Sequence, residues 1–286
     1  RVDRDGDKGI LVLDEITSVA RSVRTAAYQL LNERRLGEYV LPDGWLIVCL
    51  GNGEEDGGDF EGMEGNFANR CSMYNVAPNA EAWKRWAFNN NVNYLVTAYI
   101  SWRPGDLHTY NPESETDMLF ASPRSWKAVS DILNVHPFNK DDTLNNIRIV
   151  GNLGQTVGNM FIAFCKYRDN NIEPMDVITG KCQDAKMPTI EVMFLTVQGV
   201  IKLLTDITNK ELENGGALTN RTVDYWANSI RWMLKLSALE YRVMALKDLV
   251  ASNLAISTKL FLNQAFREKC PELAQFITNN KEVFRQ

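Results

Sequence analysis

Histidine is nearly missing from this chain: His108 and His136 are the only two in 286 residues. Neither stands at metal-ligand spacing from a cysteine, so surface positions are expected for both. The five cysteines, Cys49, Cys71, Cys165, Cys182 and Cys270, are odd in number and contain no C-x-x-C pair. That speaks against a disulfide framework and a structural zinc site, and makes a reducing, cytoplasmic compartment the simplest reading. Basic residues are outnumbered by acidic ones, 31 to 36, and the net charge of -5 supplies no overall positive field for collecting nucleic acid. No apolar run approaches the roughly 20 residues that a membrane-spanning helix needs, and the charged amino-terminal residues do not form a signal peptide. A nucleophile elbow, a Ser-His-Asp order and an H-E-x-x-H string are all missing.

The apolar content, 45%, is enough for a sizeable core, and the length suits one large domain or two ordinary ones; two are expected. The run "ILVL" (10 to 13) has no polar alternation, which predicts a central strand covered on both faces. "SVARSVRTAAYQLLNERR" then spaces Val19, Val23, Ala26, Ala27, Leu30 and Leu31 as an amphipathic helix, with Thr17 or Ser18 as N-cap. A turn at Pro42-Asp43-Gly44 leads into "WLIVCL" (45 to 50), a second apolar strand. Strand, helix and strand predict a crossover in a parallel sheet.

Residues 51 to 66, with six glycines and six acids, read as a surface loop. "CSMYNV" (71 to 76) reads as a strand, and the remainder as helices: 80 to 90, 93 to 102, 122 to 133, 190 to 208 and 221 to 267. The clearest start is at Ser122, with Pro123 behind it and Trp126, Val129 and Leu133 on one face. The expected class is therefore α/β, a parallel sheet with helices followed by helical segments, divided at 1 to 77, 78 to 184 and 185 to 286. Helical spacing makes core packing the expectation for most of Trp83, Trp86, Trp226 and Trp232.

Polar residues at the carboxyl ends of buried parallel strands line ligand crevices. Asp14 and Glu15 end the first strand here, and Gly51 and Asn52 the second. An acid pair beside an amide suits Mg-nucleotide chemistry: one carboxylate orients magnesium, its neighbour positions water, and the amide can donate to phosphate. The plainer alternative is that the two acids cap the following helix.

In order, spacing and residue type, "GILVLDE", "AAYQLLNERRLGEYVLPDGWLIVCLGN", "NRCSMYNV" and "SPRSW" resemble the MoxR-like branch of AAA+ ATPases, over residues 9 to about 165. The resemblance implies a partial AAA+ sheet, a helical lid (78 to 184) and a helical C-terminal module (185 to 286). It makes Asp14 the magnesium ligand of Walker B, Glu15 the water-activating carboxylate and Asn52 sensor 1. Arg70 becomes an arginine finger reaching a neighbouring subunit's nucleotide, and Arg124 the lid's sensor 2. The alternative for Arg70 is an ion pair with the acidic loop, and for Arg124 a solvated arginine at a loop junction. The implied activity is ATP hydrolysis with ATP and Mg as cofactors, in a ring, expected to be a hexamer, that remodels or assembles a protein partner as a chaperone does.

One departure from the family is plain. No G-x-x-x-x-G-K-[ST] string, whose amides and lysine cradle phosphates, occurs in these 286 residues. The expectation is a fragment whose Walker A part lies upstream, since the chain opens without Met and runs straight into a strand. The rival expectation is a non-catalytic AAA+-like scaffold or interaction protein, while the acidic balance disfavours a nucleic-acid motor.

Overall fold

In the computed structural model, residues 8–53, 69–112, 119–170, 172–187, 189–215 and 218–284 are described. Residues 54 to 66 of the acidic glycine-rich stretch lie outside them. The chain divides into two compact units. One comprises Arg1–Ala77 with Asn111–Glu115; the other comprises Pro78–Tyr110 with Thr116–Gln286.

The first unit is built on β1 (Gly9–Leu13) and β4 (Trp45–Cys49), which pair in parallel with Gly9 opposite Trp45 and Leu13 opposite Cys49. Between them run helix α1 (Arg21–Glu33) and a short antiparallel hairpin, β2 (Arg35–Leu36) and β3 (Tyr39–Val40). The turn at Pro42 closes as expected, with the Trp45 N–H donating to the Pro42 carbonyl at 3.1 Å.

Three expectations are corrected here. First, β1 is not covered on both faces among the described residues. Leu11 and Leu13 are half-buried, whereas Ile10 and Val12 are 62% and 49% exposed. A sheet of two described strands has no inner strand, so β1 is not central within it. Second, α1 is capped by neither Thr17 nor Ser18: its N-cap is Ala20, without a side-chain hydrogen bond. Both candidates are engaged before the helix begins, Thr17 buried against Gly51 and Ser18 bonded to Glu15. The helix face is also rotated from the expected one, for Val23 is exposed and Arg24 is buried. Third, 71 to 76 form no strand. Met73, Tyr74 and Val76 are more than half exposed, and strand-like composition yields no strand without a ladder partner.

The second unit is helical. Helices α2 (Ala80–Asn89) and α3 (Tyr94–Trp102) are followed by α4 (Pro123–Val135), α5 (Thr143–Leu153), α6 (Gln155–Cys165) and the short α7 (Pro174–Ile178). Then come the long α8 (Ile190–Gly215), α9 (Asn220–Met233) and α10 (Leu239–Ser252), and four shorter helices, α11 (Leu254–Leu262), α12 (Gln264–Lys269), α13 (Pro271–Asn279) and α14 (Lys281–Phe284). Every residue from Leu95 to Ile100 in α3 and from Val192 to Val200 in α8 is buried, so these two helices form the centre of the unit. One hydrophobic cluster extends from Trp83 to Leu273 and so spans both 78 to 184 and 185 to 286. Trp83, Trp226 and Trp232 lie in it, while Trp86 is 43% exposed.

Helix α4 starts as its sequence dictates. The Ser122 hydroxyl accepts from the Ser125 N–H at 3.2 Å, and the Ser125 hydroxyl accepts from the Ser122 N–H at 2.8 Å, a complete reciprocal cap. Behind it Trp126, Val129 and Leu133 are buried.

Candidate functional site

The carboxyl ends of β1 and β4 lie side by side. Beyond the last strand pair the ladder continues: the Leu50 N–H donates to the Leu13 carbonyl and the Ile16 N–H to the Leu50 carbonyl, both at 2.9 Å. These two bonds bring Asp14 and Glu15 to the same rim as Gly51 and Asn52.

Residues 14 to 18 leave the strand in a tight turn. The Glu15 backbone has φ 55°, a left-handed conformation that costs a non-glycine residue about 1–2 kcal/mol. Its N–H donates to Asp14 Oδ1 at 3.1 Å, and the Ser18 hydroxyl donates to Glu15 Oε2 at 3.3 Å. The Ser18 N–H closes the turn on the Glu15 carbonyl at 3.0 Å. Two adjacent acids are thereby held on an exposed turn, each using one carboxylate oxygen for local structure. Among the described residues neither has an ion-pair partner. Strain of this kind persists only where the surroundings enforce it, and it is often found at functional turns.

Gly51 is what allows the two chain segments to approach so closely. A Cβ there would meet Thr17 Oγ1 at 2.5 Å and Thr17 Cγ2 at 2.7 Å. Thr17, expected from the sequence as a helix cap, is instead 3% exposed and packed where Gly51 approaches it. The glycine that directly follows an apolar strand was the signal pointing to such an approach. Asn52, one residue further on, is exposed.

Arg70 lies elsewhere in this unit. Its Nε donates to Asn32 Oδ1 at 2.8 Å, and its guanidinium lies 5.8 Å from the centre of the Tyr28 ring. Tyr28 and Asn32 belong to the second half of α1. The end of that helix is fixed by Arg34, whose guanidinium donates to the Pro42 carbonyl at 2.7 Å and the Trp45 carbonyl at 2.5 Å. Trp45 begins β4, so Arg70 sits toward the amino ends of the strands. The acid pair is at their carboxyl ends, and a five-residue strand spans about 15 Å. Arg34, the C-cap of α1, is thus a clamp on two backbone carbonyls.

Arg124 belongs to the second unit and is exposed in the first turn of α4. That turn contains no acidic residue, and Arg124 makes no hydrogen bond to a described residue. The helix macrodipole disfavours a cation there, so an anion from outside would be favoured.

The donor set fits a hydrated magnesium ion. Mg²⁺ commonly keeps several waters and takes only one or two carboxylates together with substrate phosphates. Asp14 supplies one such carboxylate on an exposed turn. A cage of three or more His, Cys, Asp or Glu side chains is absent among the described residues, and this mode of binding does not need one. His108 and His136 are both exposed. No described helix is long and apolar enough to cross a membrane. The chain matches no protein-family model, no curated protein and no solved structure.

Proposed function

We propose that this chain is part of an AAA+ ATPase of the MoxR-like type, working in the cytoplasm as a ring, in its simplest form a hexamer, that remodels or assembles a protein partner. One observation supports this above the others: Asp14, Glu15 and Asn52 share one rim at the carboxyl ends of two parallel strands, with Glu15 held in a strained turn. Asp14 would hold magnesium, which when bound neutralises phosphate charge. Glu15 orients the attacking water and takes up its proton, and the Asn52 amide fixes that water against the phosphate. Arg70, at the far end of the strands from its own acid pair, serves the nucleotide of a neighbouring subunit. Arg124 keeps the sensor 2 part that the resemblance implies.

ATP binding in this reading needs a phosphate-cradling loop that the 286 residues do not contain. The absence of that string favours a second reading, a non-catalytic scaffold whose helical unit docks a partner. Glu15→Gln in the full-length gene product separates the two. Under the ATPase reading turnover falls by at least about 10²-fold while a fluorescent ATP analogue binds as before. Unchanged turnover removes the assignment of Glu15, and a wild-type protein that binds no ATP leaves the scaffold.

A further inference from the structure

The helical unit holds a cavity of about 210 Å³ between α2, α3, α8 and the end of α10. Its wall is unusual in hydrogen-bond polarity. Gln198 lines it and is 1% exposed. The Gln198 Nε2 donates to Asp248 Oδ2 at 2.6 Å and to the Ser101 hydroxyl at 3.4 Å, and because a carboxylate only accepts, the amide's orientation is fixed. The remaining atom, Gln198 Oε1, is buried with no hydrogen-bond partner. A buried acceptor left unmet is costly, so a donor that reaches it is favoured.

The neighbouring hydroxyls have already committed their protons. Ser252 donates to the Leu249 carbonyl at 2.8 Å, so in the 3.1 Å contact between Thr205 and Ser252 it is Thr205 that donates. Thr97 donates to the Tyr94 carbonyl at 3.1 Å. All three line the cavity and are at least nine-tenths buried, and what they present to it is lone pairs. These buried groups can therefore accept and not donate, and the donors in the lining include the amides of Asn91 and Asn209.

Formal charge points the same way. Behind the wall Lys84 is held by Asp248 and Glu81, and at the mouth Lys202 is held by Asp206 at 2.7 Å and donates to Asn91 Oδ1 at 3.2 Å. Both ammonium groups near the cavity are thus already offset by carboxylates. Phe88 and Tyr94 add aromatic surface, which suits an organic cation.

We infer that this cavity is a binding site for a primary alkylammonium group, whose three N–H donors match the unmet Gln198 Oε1 and the lone pairs of Thr97 and Thr205. The space is several times the volume of one water, about 30 Å³, and admits a short alkyl chain behind the nitrogen. The site belongs to the helical unit and does not depend on how the acid-pair rim is used.

The test titrates the 286-residue chain with n-butylammonium chloride by saturation-transfer NMR, against n-butanol, which lacks the charge, and tetramethylammonium, which lacks the donors. Saturable n-butylammonium binding at least about tenfold tighter than either control is expected, the effect of one hydrogen bond to a charged group. Equal binding of tetramethylammonium, or no saturable binding of n-butylammonium, overturns the proposal. Thr205→Val should weaken n-butylammonium about tenfold with an unchanged circular dichroism spectrum, and a folded Thr205→Val that binds as wild type overturns it as well. If that variant does not fold, the three-ligand comparison on the wild type decides. A fourth arm, acetyl-Gly-Lys-Gly-amide, identifies the source: binding as tight as n-butylammonium supports the site as a receptor for a polypeptide lysine, and exclusion of the peptide supports it as a receptor for a free amine.

Discussion

Lys84 and Asp248, 164 positions apart, meet in the helical unit at 2.9 Å, each side chain only 3% exposed. Burial pulls the Lys84 ammonium down, but the charges of Asp248 and Glu81, with their hydrogen bonds, more than reverse this and leave its pKa above the ordinary 10.5. The stability this cation contributes is complete below pH 10.5 and is lost as pH rises through the higher folded value. Denaturant midpoints should therefore hold this contribution up to about pH 10.5 and lose it above that in the wild type, and a Lys84→Met/Asp248→Leu double variant should lack that part of the fall.

The same pair gives an asymmetry between one substitution and two. Lys84→Met strands a buried carboxylate and should cost about 3–5 kcal/mol in chemical unfolding. Removing both charges with apolar side chains of similar volume should recover most of that loss. Recovery of nothing would mean that the pair is not what holds α2 to α10.

At the rim, Gly51→Ala places a methyl group 2.5 Å from Thr17 Oγ1, inside a buried and β-branched neighbour that has few rotamers to escape into. The expected cost is about 1–3 kcal/mol of overpacking, and Thr17→Ala in the same chain should return much of it. Thermal unfolding of the two variants measures the difference. If Gly51→Ala alone is neutral, the two segments are not in contact.

In the helical unit, Ser122→Ala removes the acceptor for the Ser125 N–H and the partner that orders Ser125 in turn. About 0.5–2 kcal/mol should be lost, and Ser122→Asp should restore it.

How much of this was legible follows from how local each cause is. Helix α4 could be read whole, because its cap, its proline and its buried face lie within a dozen residues. The strands β1 and β4 were visible as apolar runs, and the placement of Asp14 and Asn52 followed from where those runs stop. Residues 71 to 76 misled because strand composition says nothing about a partner. Thr17 and Ser18 misled because Thr17 is packed against Gly51 and the Ser18 hydroxyl is spent on the Glu15 carboxylate. Lys84 with Asp248 is non-local and could not be paired from the chain alone. Even so, Asp248 fell on the apolar side of α10 with Ala245 and Ser252, a position where a lone acid demands a partner.

Arg70 permits a test of the ring that no single-chain property can imitate. It is tied to Asn32 near the amino ends of the strands, while Glu15 stands at their carboxyl ends. If the arginine serves a neighbour, Arg70→Ala and Glu15→Gln each lower ATPase turnover, the former by about 10³-fold or more on the precedent of other phosphoryl-transfer arginines. Mixing the two inactive proteins at equal ratio then builds some interfaces in which an intact Glu15 faces an intact Arg70. Turnover of the mixture should rise well above that of either parent, in proportion to those composite interfaces. A mixture no more active than its parents, with subunit exchange verified by fluorescence transfer, would show that Arg70 does not act across a subunit boundary.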